Sequence, residues 1–388
     1  QGCCLMRQVP CVHEACVIDL TGYLIVGLCA AVVTAILTPL VERYARKRRW
    51  MAEPDERRAH PVPTPNVGGL AFMGGLVAAL ILAWRMDRFS PVISGNSELI
   101  GVVLAAGLIT ALGFADDIRD LSAPMKVTGV VVVALVLVWF GVTMFYFRVP
   151  FLDVFVLSND WIPLFTVLWL LGMTQAINLI DGLDGLATGI VAIAAATFFV
   201  YSKHLADQGL LAQPNIGPLI AIITLGICLG FLPYNFNPAR IFMGDVGALM
   251  LGLLMAVSTS VVGGRADPQL QGVSGQTYFF IAPLFIPLLI LGVPFFDVLF
   301  AILRRTVSRQ GFATADRGHL HHRLIALGHG PRRAVVILWA WTALLSTIAL
   351  YPALISTQPN FWPLIVAAVL LAGFTVFHPR WRPRADAE

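Results

Sequence analysis

The sequence predicts an all-α, polytopic integral membrane protein, because its composition and its apolar runs both point to this class. Of the 388 residues, 58% are hydrophobic and only 12% are charged, and the mean hydropathy is +0.80. A water-soluble domain of this length does not bury so large an apolar fraction. About eleven apolar runs approach or exceed the roughly 20 residues that a helix needs to cross a bilayer. We therefore expect about eleven transmembrane helices.

Each predicted helix is an apolar run bounded by polar or turn-forming residues. The predicted spans cover residues 19–40, 66–85, 97–115, 126–147, 160–179, 184–203, 214–234, 245–264, 277–303, 333–355 and 360–378. This pattern divides the chain into an extracytoplasmic N-terminal segment (1–18), a single transmembrane domain (19–378) and a cytoplasmic tail (379–388).

The basic residues predict the orientation of these spans. If residues 41–65 are cytoplasmic, the loops on that side hold 20 of the 26 Lys and Arg residues. Cytoplasmic loops of membrane proteins carry such an excess, so the N-terminus is expected outside and the C-terminus inside. The net charge of +4 is then a topology signal and requires no nucleic-acid partner.

A polar turn separates the fifth and sixth predicted spans. It contains Asn178, Asp181 and Asp184, and its glycines Gly182 and Gly185 permit a tight reversal. Asp184 stands where the N-cap of the next helix is expected. A capped turn requires only one Asp and one Gly, so a second carboxylate at membrane depth favours a cation or phosphate site.

Two further groups of carboxylates lie on the cytoplasmic side. Asp116 and Asp117 end the third span with Asp120 one turn later, and such crowding favours a divalent cation or a carboxylate that acts as a base. Asp245 opens the eighth span, where an acid caps a helix and where helices also receive phosphate. The ligand set contains oxygen only, which suits Mg²⁺ or Mn²⁺ and not zinc.

A basic loop follows the ninth predicted span on the same side. It contains His319, His321, His322 and Arg323, whose imidazole and guanidinium groups are suited to gripping phosphate. A solvated basic loop is the alternative interpretation. Since every dense polar cluster falls on the cytoplasmic side, one site at the inner membrane surface is the simplest explanation.

Four of these motifs together resemble a known family. The pair Asp116-Asp117, the turn from Asn178, the segment from Asn235 to Asp245 and the loop His319-Leu-His-His-Arg-Leu occur in the order of the polyprenyl-phosphate N-acetylhexosamine-1-phosphate transferases. The resemblance covers roughly residues 40–330. Within that superfamily the chain is similar to the branch that uses UDP-N-acetylglucosamine. The phospho-N-acetylmuramoyl-pentapeptide transferase branch differs in its histidine loop and has ten spans.

The resemblance implies a reaction. A lipid phosphate attacks the β-phosphorus of a UDP-N-acetylhexosamine, UMP leaves, and a polyprenyl-diphosphate sugar remains in the bilayer of a bacterial plasma membrane. By resemblance, the catalytic residues are Asp116, Asp117 and Asp245, and the substrate-binding residues are Asn178, Asp181, Asp184, Asn235, Phe242, His319, His321, His322 and Arg323. Asp245 and Asp117 are the implied ligands of Mg²⁺ or Mn²⁺, and Phe242 is expected to stack on uracil. A homodimer is left open.

Other functions fit parts of the pattern. The pentapeptide transferase catalyses the same reaction on another donor and is the main alternative. A transporter also carries carboxylates in its spans, but typically in mid-span rather than at the inner ends. The CDP-alcohol phosphotransferases use Asp-Gly motifs with a different continuation, which the apolar helix after Thr188 does not supply. A catalytically silent regulator with the same fold is the last alternative.

Overall fold

The fold is described from a computed structural model of the chain. It describes residues 18–52, 63–143, 146–148, 154–156, 158, 160–209, 211, 214–263, 292, 324–325, 327–354 and 360–377. The predicted N-terminal segment apart from residue 18, the ninth span apart from residue 292, the histidine loop and the tail lie outside these residues.

The described part of the chain is mainly helical. Its α-helices are α1 (Leu20–Arg48), α2 (Leu70–Arg85), α3 (Ser90–Ile93), α4 (Ser97–Arg119), α5 (Ala123–Trp139), α6 (Ile162–Ile180), α7 (Leu186–Asp207), α8 (Gly217–Asn235), α9 (Gly244–Gly263), α10 (Pro331–Leu354) and α11 (Trp362–Phe377). In an apolar environment the backbone must satisfy its own hydrogen bonds, and a helix does so within one segment.

The prediction of membrane-spanning helices is confirmed, but the predicted number of eleven is not. Among the described residues, seven helices are long and apolar enough to cross a membrane, namely α1, α4, α6, α7, α8, α9 and α10. An eighth span is obtained if α2 and the short helical segment after it count as one, although they bend by 95°. The apolar helices α5 and α11 are shorter. The total of eleven and the orientation stay predictions.

Helix α9 lies at the centre of the described bundle. It packs against α4, α6 and α8, and 94% of its membrane-spanning window is buried. Helix α1 packs against α2 and α8, while α7 packs against α8 and α10. Helix α11 has no buried residue and packs against α10. The elements that surround the N-terminal end of α9 are therefore held by the most buried helix.

The prediction of an all-α protein is wrong in two small regions. Strand β1 (Met51–Ala52) pairs with β2 (Thr64–Pro65), and β3 (Tyr146–Arg148) pairs with β4 (Val154–Val156), both antiparallel. The span predicted over 126–147 is also shifted toward the N-terminus. Helix α5 begins at Ala123 and ends at Trp139. Aromatic and β-branched residues continue the apolar run past that point, but they form a hairpin strand, for which such residues have a high propensity.

Candidate active site

Asp116 and Asp117 leave the C-terminal end of α4 in different directions. Successive residues of an α-helix are rotated by about 100°, so the two side chains meet different neighbours. Asp116 is only 4% exposed, and its Oδ1 accepts a hydrogen bond of 2.8 Å from the backbone N–H of Leu121, just beyond the helix end. Its other oxygen faces a cation.

That cation is the ammonium group of Lys126, which joins two carboxylates from different helices. Lys126 Nζ forms an ion pair with Asp116 Oδ2 and donates a hydrogen bond of 2.8 Å to Asp245 Oδ2. The side chain of Asn178, on α6, lies beside Asp245. We call Asp116, Lys126 and Asp245 the carboxylate–lysine cluster. It brings together α4, α5 and α9, and α6 supports it.

The position of Lys126 is costly without these carboxylates. It is the fourth residue of α5, and the positive N-terminal end of a helix disfavours a cation. Two carboxylates close together repel each other unless a positive charge lies between them. The side chain of Asp245 is 25% exposed and that of Lys126 is 32% exposed, so the cluster is open to a ligand on one side.

Asp117 serves a different purpose from its neighbour. Its Oδ1 accepts hydrogen bonds from Asn66 Nδ2 (2.9 Å) and from the N–H of Asp245 (3.0 Å), and its Oδ2 accepts one from the N–H of Val246 (3.1 Å). A carboxylate from α4 thus caps the first turn of α9. An ordinary N-cap was the alternative interpretation of Asp245, but α9 already begins at Gly244, so Asp245 lies within the first turn of the helix.

Glycines allow the helices to approach closely enough for this contact. Gly244 has a φ of 67°, and a Cβ there would lie 2.0 Å from the carbonyl oxygen of Asn66. A Cβ on Gly113 would lie 2.6 Å from the Cα of Val246, and one on Gly69 would lie 2.1 Å from the N of Gly247. Any larger residue at these positions forces α9 away from α4 or α2.

Asp184 is part of a second region, which is built from amides and backbone groups. It is 6% exposed, and its Oδ2 accepts hydrogen bonds from Asn237 Nδ2 (2.9 Å) and from the N–H of Ala239 (3.0 Å). Asp184 does not stand at the N-cap of α7, the position expected for it, because Gly185 occupies that position with a φ of 75°. The carboxylate instead ties the turn to the segment between α8 and α9.

Asn235 makes a parallel tie. Its Oδ1 accepts hydrogen bonds from the N–H of Gly185 (3.1 Å) and from Thr188 Oγ1 (2.8 Å), and its Nδ2 donates to the carbonyl of Ile241 (3.1 Å). The side chain is only 2% exposed. We call Asp184, Asn235 and Asn237 the amide knot. The substrate-binding role of Asn235 stays a prediction, since these three hydrogen bonds are all made within the chain.

Phe242 lies on the segment that leads from the amide knot to Asp245. This segment, residues 236–243, is bound to the chain before α2. The N–H of Phe242 donates to the carbonyl of Pro65 (2.8 Å), and the N–H of Gly68 donates to the carbonyl of Phe242 (2.9 Å). The ring of Phe242 is partly exposed. Its backbone is therefore fixed, while its ring has a surface on which a planar group can stack.

Asp181 lies at the end of α6, between the two regions. Its side chain is partly exposed, and its N–H donates to the carbonyl of Asn178 (3.3 Å). The four remaining predicted residues, His319, His321, His322 and Arg323, lie outside the described residues. The structure thus brings Asp116, Asp245 and Asn178 into one cluster, while Asp117 caps α9 beside it.

The sequence analysis missed Lys126 as a site residue. One signal was available, because a lone lysine at the N-terminal end of an apolar helix is unfavourable both for the helix dipole and for burial. Such a residue requires a carboxylate partner, and Asp116 lies ten positions earlier. Asn66, which supports Asp117, carried no comparable signal.

The carboxylate–lysine cluster is also the place that best fits a metal ion. Within the described ranges, no group of three His, Cys, Asp or Glu side chains is arranged to hold a metal. The reason is visible in the contacts, since Lys126 occupies the point that Asp116 and Asp245 share, while Asp117 is engaged by N–H groups. A point that draws an ammonium group between two carboxylates has the charge and the oxygen donors that suit a divalent cation.

Comparison with known proteins identifies the family of the chain. The family described as glycosyl transferase family 4 matches residues 99–263, which include α4 to α9. Decaprenyl-phosphate N-acetylglucosaminephosphotransferase of Mycobacterium leprae is 33% identical over 93% of this chain and 91% of its own length. A probable undecaprenyl-phosphate N-acetylglucosaminyl 1-phosphate transferase of Bacillus subtilis is 37% identical over 78% of this chain and 77% of its own length.

A relative from the other branch matches less of the chain. The phospho-N-acetylmuramoyl-pentapeptide-transferase of Staphylococcus epidermidis is 32% identical over 60% of this chain and 74% of its own length. The similarity is therefore more extensive toward the proteins named for N-acetylglucosamine transfer. The chain is a membrane protein that belongs to glycosyl transferase family 4.

Proposed function

We propose that the chain transfers N-acetylglucosamine-1-phosphate from UDP-N-acetylglucosamine to a polyprenyl phosphate. An oxygen of the lipid phosphate forms a bond to the β-phosphorus of the donor. The bond from that phosphorus to the bridging oxygen breaks, and the electron pair leaves with UMP. The product, a polyprenyl-diphosphate N-acetylglucosamine, stays in the membrane for assembly of a cell-envelope polymer.

One observation carries this proposal: carboxylates from two helices converge on a single cationic point at the ends of those helices. Transfer between two phosphates requires that several negative charges be neutralised and that the reacting groups be aligned. A positive group held between Asp116 and Asp245, and partly exposed, supports such a task. The names of the relatives indicate the substrate class, a polyprenyl phosphate and an N-acetylglucosamine phosphate.

The cluster fits Mg²⁺ or Mn²⁺ as the cofactor. Asp245 is the principal ligand in our proposal, with Asp116 beside it, whereas Asp117 is placed to orient Asp245 through the first turn of α9. When bound, the ion neutralises charge on the donor diphosphate and on the departing phosphate. The sequence-based choice of Asp117 as a second ligand is less favoured, because both of its oxygens already accept hydrogen bonds.

The chain's own residues then divide the remaining work. Lys126 moves with its positive charge toward a phosphate when a ligand competes for the carboxylates. Asp116, freed from Lys126, accepts the proton of a lipid phosphate that arrives protonated. Asn178 holds the orientation of Asp245, and Asp181 borders the same space. Phe242 offers the exposed part of its ring to uracil, while the amide knot holds the segment that contains Phe242.

The proposal includes a topology. With the excess of basic residues inside, the C-terminal ends of α4 and α6 and the N-terminal ends of α5 and α9 lie at the cytoplasmic face of a bacterial plasma membrane. The soluble donor reaches the cluster from the cytoplasm, and the lipid phosphate reaches it from the bilayer. The loop with His319, His321, His322 and Arg323 is proposed to grip the donor's phosphates or sugar.

The experiment that tests this function uses the purified full chain in detergent with polyprenyl phosphate and Mg²⁺. UMP release is measured for UDP-N-acetylglucosamine, UDP-N-acetylgalactosamine, UDP-glucose and UDP-N-acetylmuramoyl-pentapeptide. We expect release with UDP-N-acetylglucosamine that depends on the lipid phosphate and stops with EDTA. Comparable release with the pentapeptide donor assigns the chain to the other branch. A lack of release with every donor contradicts the proposal.

A further inference from the structure

Helix α1 contributes no residue to the carboxylate–lysine cluster, yet it contains a nearly buried acid. Glu42, six residues before the end of the helix, is 7% exposed. A carboxylate in such surroundings is unfavourable unless it is paired and hydrogen-bonded. A basic segment follows it on the same helix, which would satisfy the charge with local partners alone. In the structure, Glu42 also has a partner that is distant in the sequence.

Each oxygen of Glu42 has its own guanidinium. Arg46 Nε donates to Oε1 at 3.2 Å from the next turn of α1. Arg240 Nη2 donates to Oε2, also at 3.2 Å, from the segment between α8 and α9. Arg46 Nη2 lies 3.5 Å from the carbonyl oxygen of Arg240, so one arginine of α1 contacts both members of the long-range pair.

A second contact joins α1 to the end of α8. Tyr234, near the end of α8, donates its hydroxyl hydrogen bond to the carbonyl of Ala35 at 3.0 Å. The guanidinium of Arg240 lies over the Tyr234 ring, 5.6 Å from its centre. Ala35 and Glu42 are seven residues apart and therefore lie on one face of α1. The end of α8 and the segment after it are thus bound to α1 at two points.

The partner helices are packed closely enough to make α1 a firm support. A Cβ on Gly226 would lie 2.1 Å from the carbonyl oxygen of Gly27, and a Cβ on Gly230 would lie 2.2 Å from that of Ala31. The backbones of α1 and α8 therefore touch below the two ties. An isolated surface ion pair contributes little to stability, but this pair ends on a buried carboxylate at the edge of a tightly packed helix interface.

We propose that Glu42 is a positioning residue that sets the segment 236–243 for the nucleotide half of the donor. Arg240 precedes Phe242 by two residues and Asp245 by five, so a shift of Arg240 moves the partly exposed Phe242 ring first. The inference rests on the proposed function in assigning Phe242 to uracil. It adds that the affinity for the nucleotide depends on a charge in α1, outside every motif that the family resemblance uses.

The test compares Glu42→Gln, Arg240→Gln and the double variant with the wild type. Glu42→Gln keeps the size of the side chain but removes its charge. We expect each single variant to raise KM for UDP-N-acetylglucosamine roughly 3- to 10-fold, the range of a partly exposed charge pair, with little change in KM for the lipid phosphate. The double variant should resemble the single variants, because the two side chains act as one pair.

The matched control is Asp207→Asn, which removes another carboxylate from an ion pair. Asp207 pairs with Lys203 at the C-terminal end of α7, whereas Thr188 at the N-terminal end of that helix contacts Asn235. We expect this variant to keep both KM values. An equal rise of the donor KM in Asp207→Asn overturns the inference, and so do unchanged donor KM values in all Glu42 and Arg240 variants.

A second readout requires no substrate. Trypsin cleaves after arginine, so the rate of cleavage at the Arg240–Ile241 bond reports how firmly the segment is held. We expect faster cleavage there in Glu42→Gln than in the wild type or Asp207→Asn. An unchanged cleavage rate in Glu42→Gln contradicts the claim that Glu42 holds the segment 236–243. If the wild type does not use UDP-N-acetylglucosamine, the proposed function fails while the cleavage result stands, and the KM comparison moves to the donor that is used.

Discussion

The carboxylate–lysine cluster and the amide knot both contain buried carboxylates, but these carboxylates have different partners. Asp116 and Asp245 face the ammonium group of Lys126, which is at the end of a flexible side chain. Asp184 faces an amide and a backbone N–H, which are fixed by the chain. A cationic side chain can move away and leave its place to a ligand, whereas a backbone group cannot. The first region is therefore suited to exchange partners, and the second is suited to hold shape.

The largest expected effect is the loss of activity in Asp245→Asn. The substitution keeps the size of the side chain and its place in the first turn of α9, but it removes one charge from the point shared with Asp116 and Lys126. We expect UMP release to fall at least about 100-fold, as when a group that stabilises developing charge is lost. The melting temperature in detergent should remain close to that of the wild type. Activity near the wild-type level removes Asp245 from the site.

The amide knot should show the opposite signature in Asn235→Ala. The substitution leaves the N–H of Gly185, the hydroxyl of Thr188 and the carbonyl of Ile241 without their partner. We expect the free energy of unfolding to fall by about 3 kcal/mol, since unsatisfied buried polar groups cost about 1–3 kcal/mol each and the region relaxes in part. Denaturant unfolding in detergent measures this.

Gln208→Ala is the control for that measurement, because Gln208 is exposed at the end of α7. Its effect should remain within about 0.5 kcal/mol. If Asn235→Ala unfolds like the wild type but no longer binds the donor, Asn235 belongs to the substrate-binding residues, as the family resemblance implied.

Substitutions of Asp117 should mainly lower stability, as in the amide knot, although Asp117 adjoins Asp116 in the sequence. We expect the loss of stability to be smaller than in Asn235→Ala. Asn keeps one acceptor oxygen, but its NH2 group then faces a donor such as the N–H of Val246, so Asp117→Asn should lose about 1 kcal/mol and Asp117→Ala about 2 kcal/mol. Thermal unfolding of the two variants makes the comparison. UMP release should be higher in Asp117→Asn than in Asp116→Asn. Equal loss of activity in both Asn variants gives Asp117 a chemical role as well.

The sequence predicted the spans well, for a physical reason. Hydrogen bonding within an apolar environment leaves the helix as the standard solution, so a long apolar run is enough to predict one. Ten of the eleven predicted spans contain a described helix, and the ninth lies outside the described residues. The end of α5 at Trp139 was missed because the apolar run continues into strands, where hydropathy alone does not distinguish the two states.

The partners of the polar residues were harder to predict. The motifs located Asp116, Asp184 and Asp245, but caps were assigned to the nearest helix in the sequence. The structure caps α9 from α4 through Asp117, and it directs Asp184 across to the segment after α8. Such contacts depend on close approach at Gly113 and Gly244, which is a tertiary property. Local sequence rules describe only neighbours along the chain.

The most direct test of the account is the binding of Mn²⁺, measured by electron paramagnetic resonance on the full chain in detergent. The account predicts one bound ion that competes with Mg²⁺ in the wild type. Asp245→Asn should lose this ion, whereas Asp184→Asn, which changes the amide knot, should keep it. Mn²⁺ bound equally by the wild type and Asp245→Asn contradicts the claim that the carboxylate–lysine cluster is the site where a cation is exchanged.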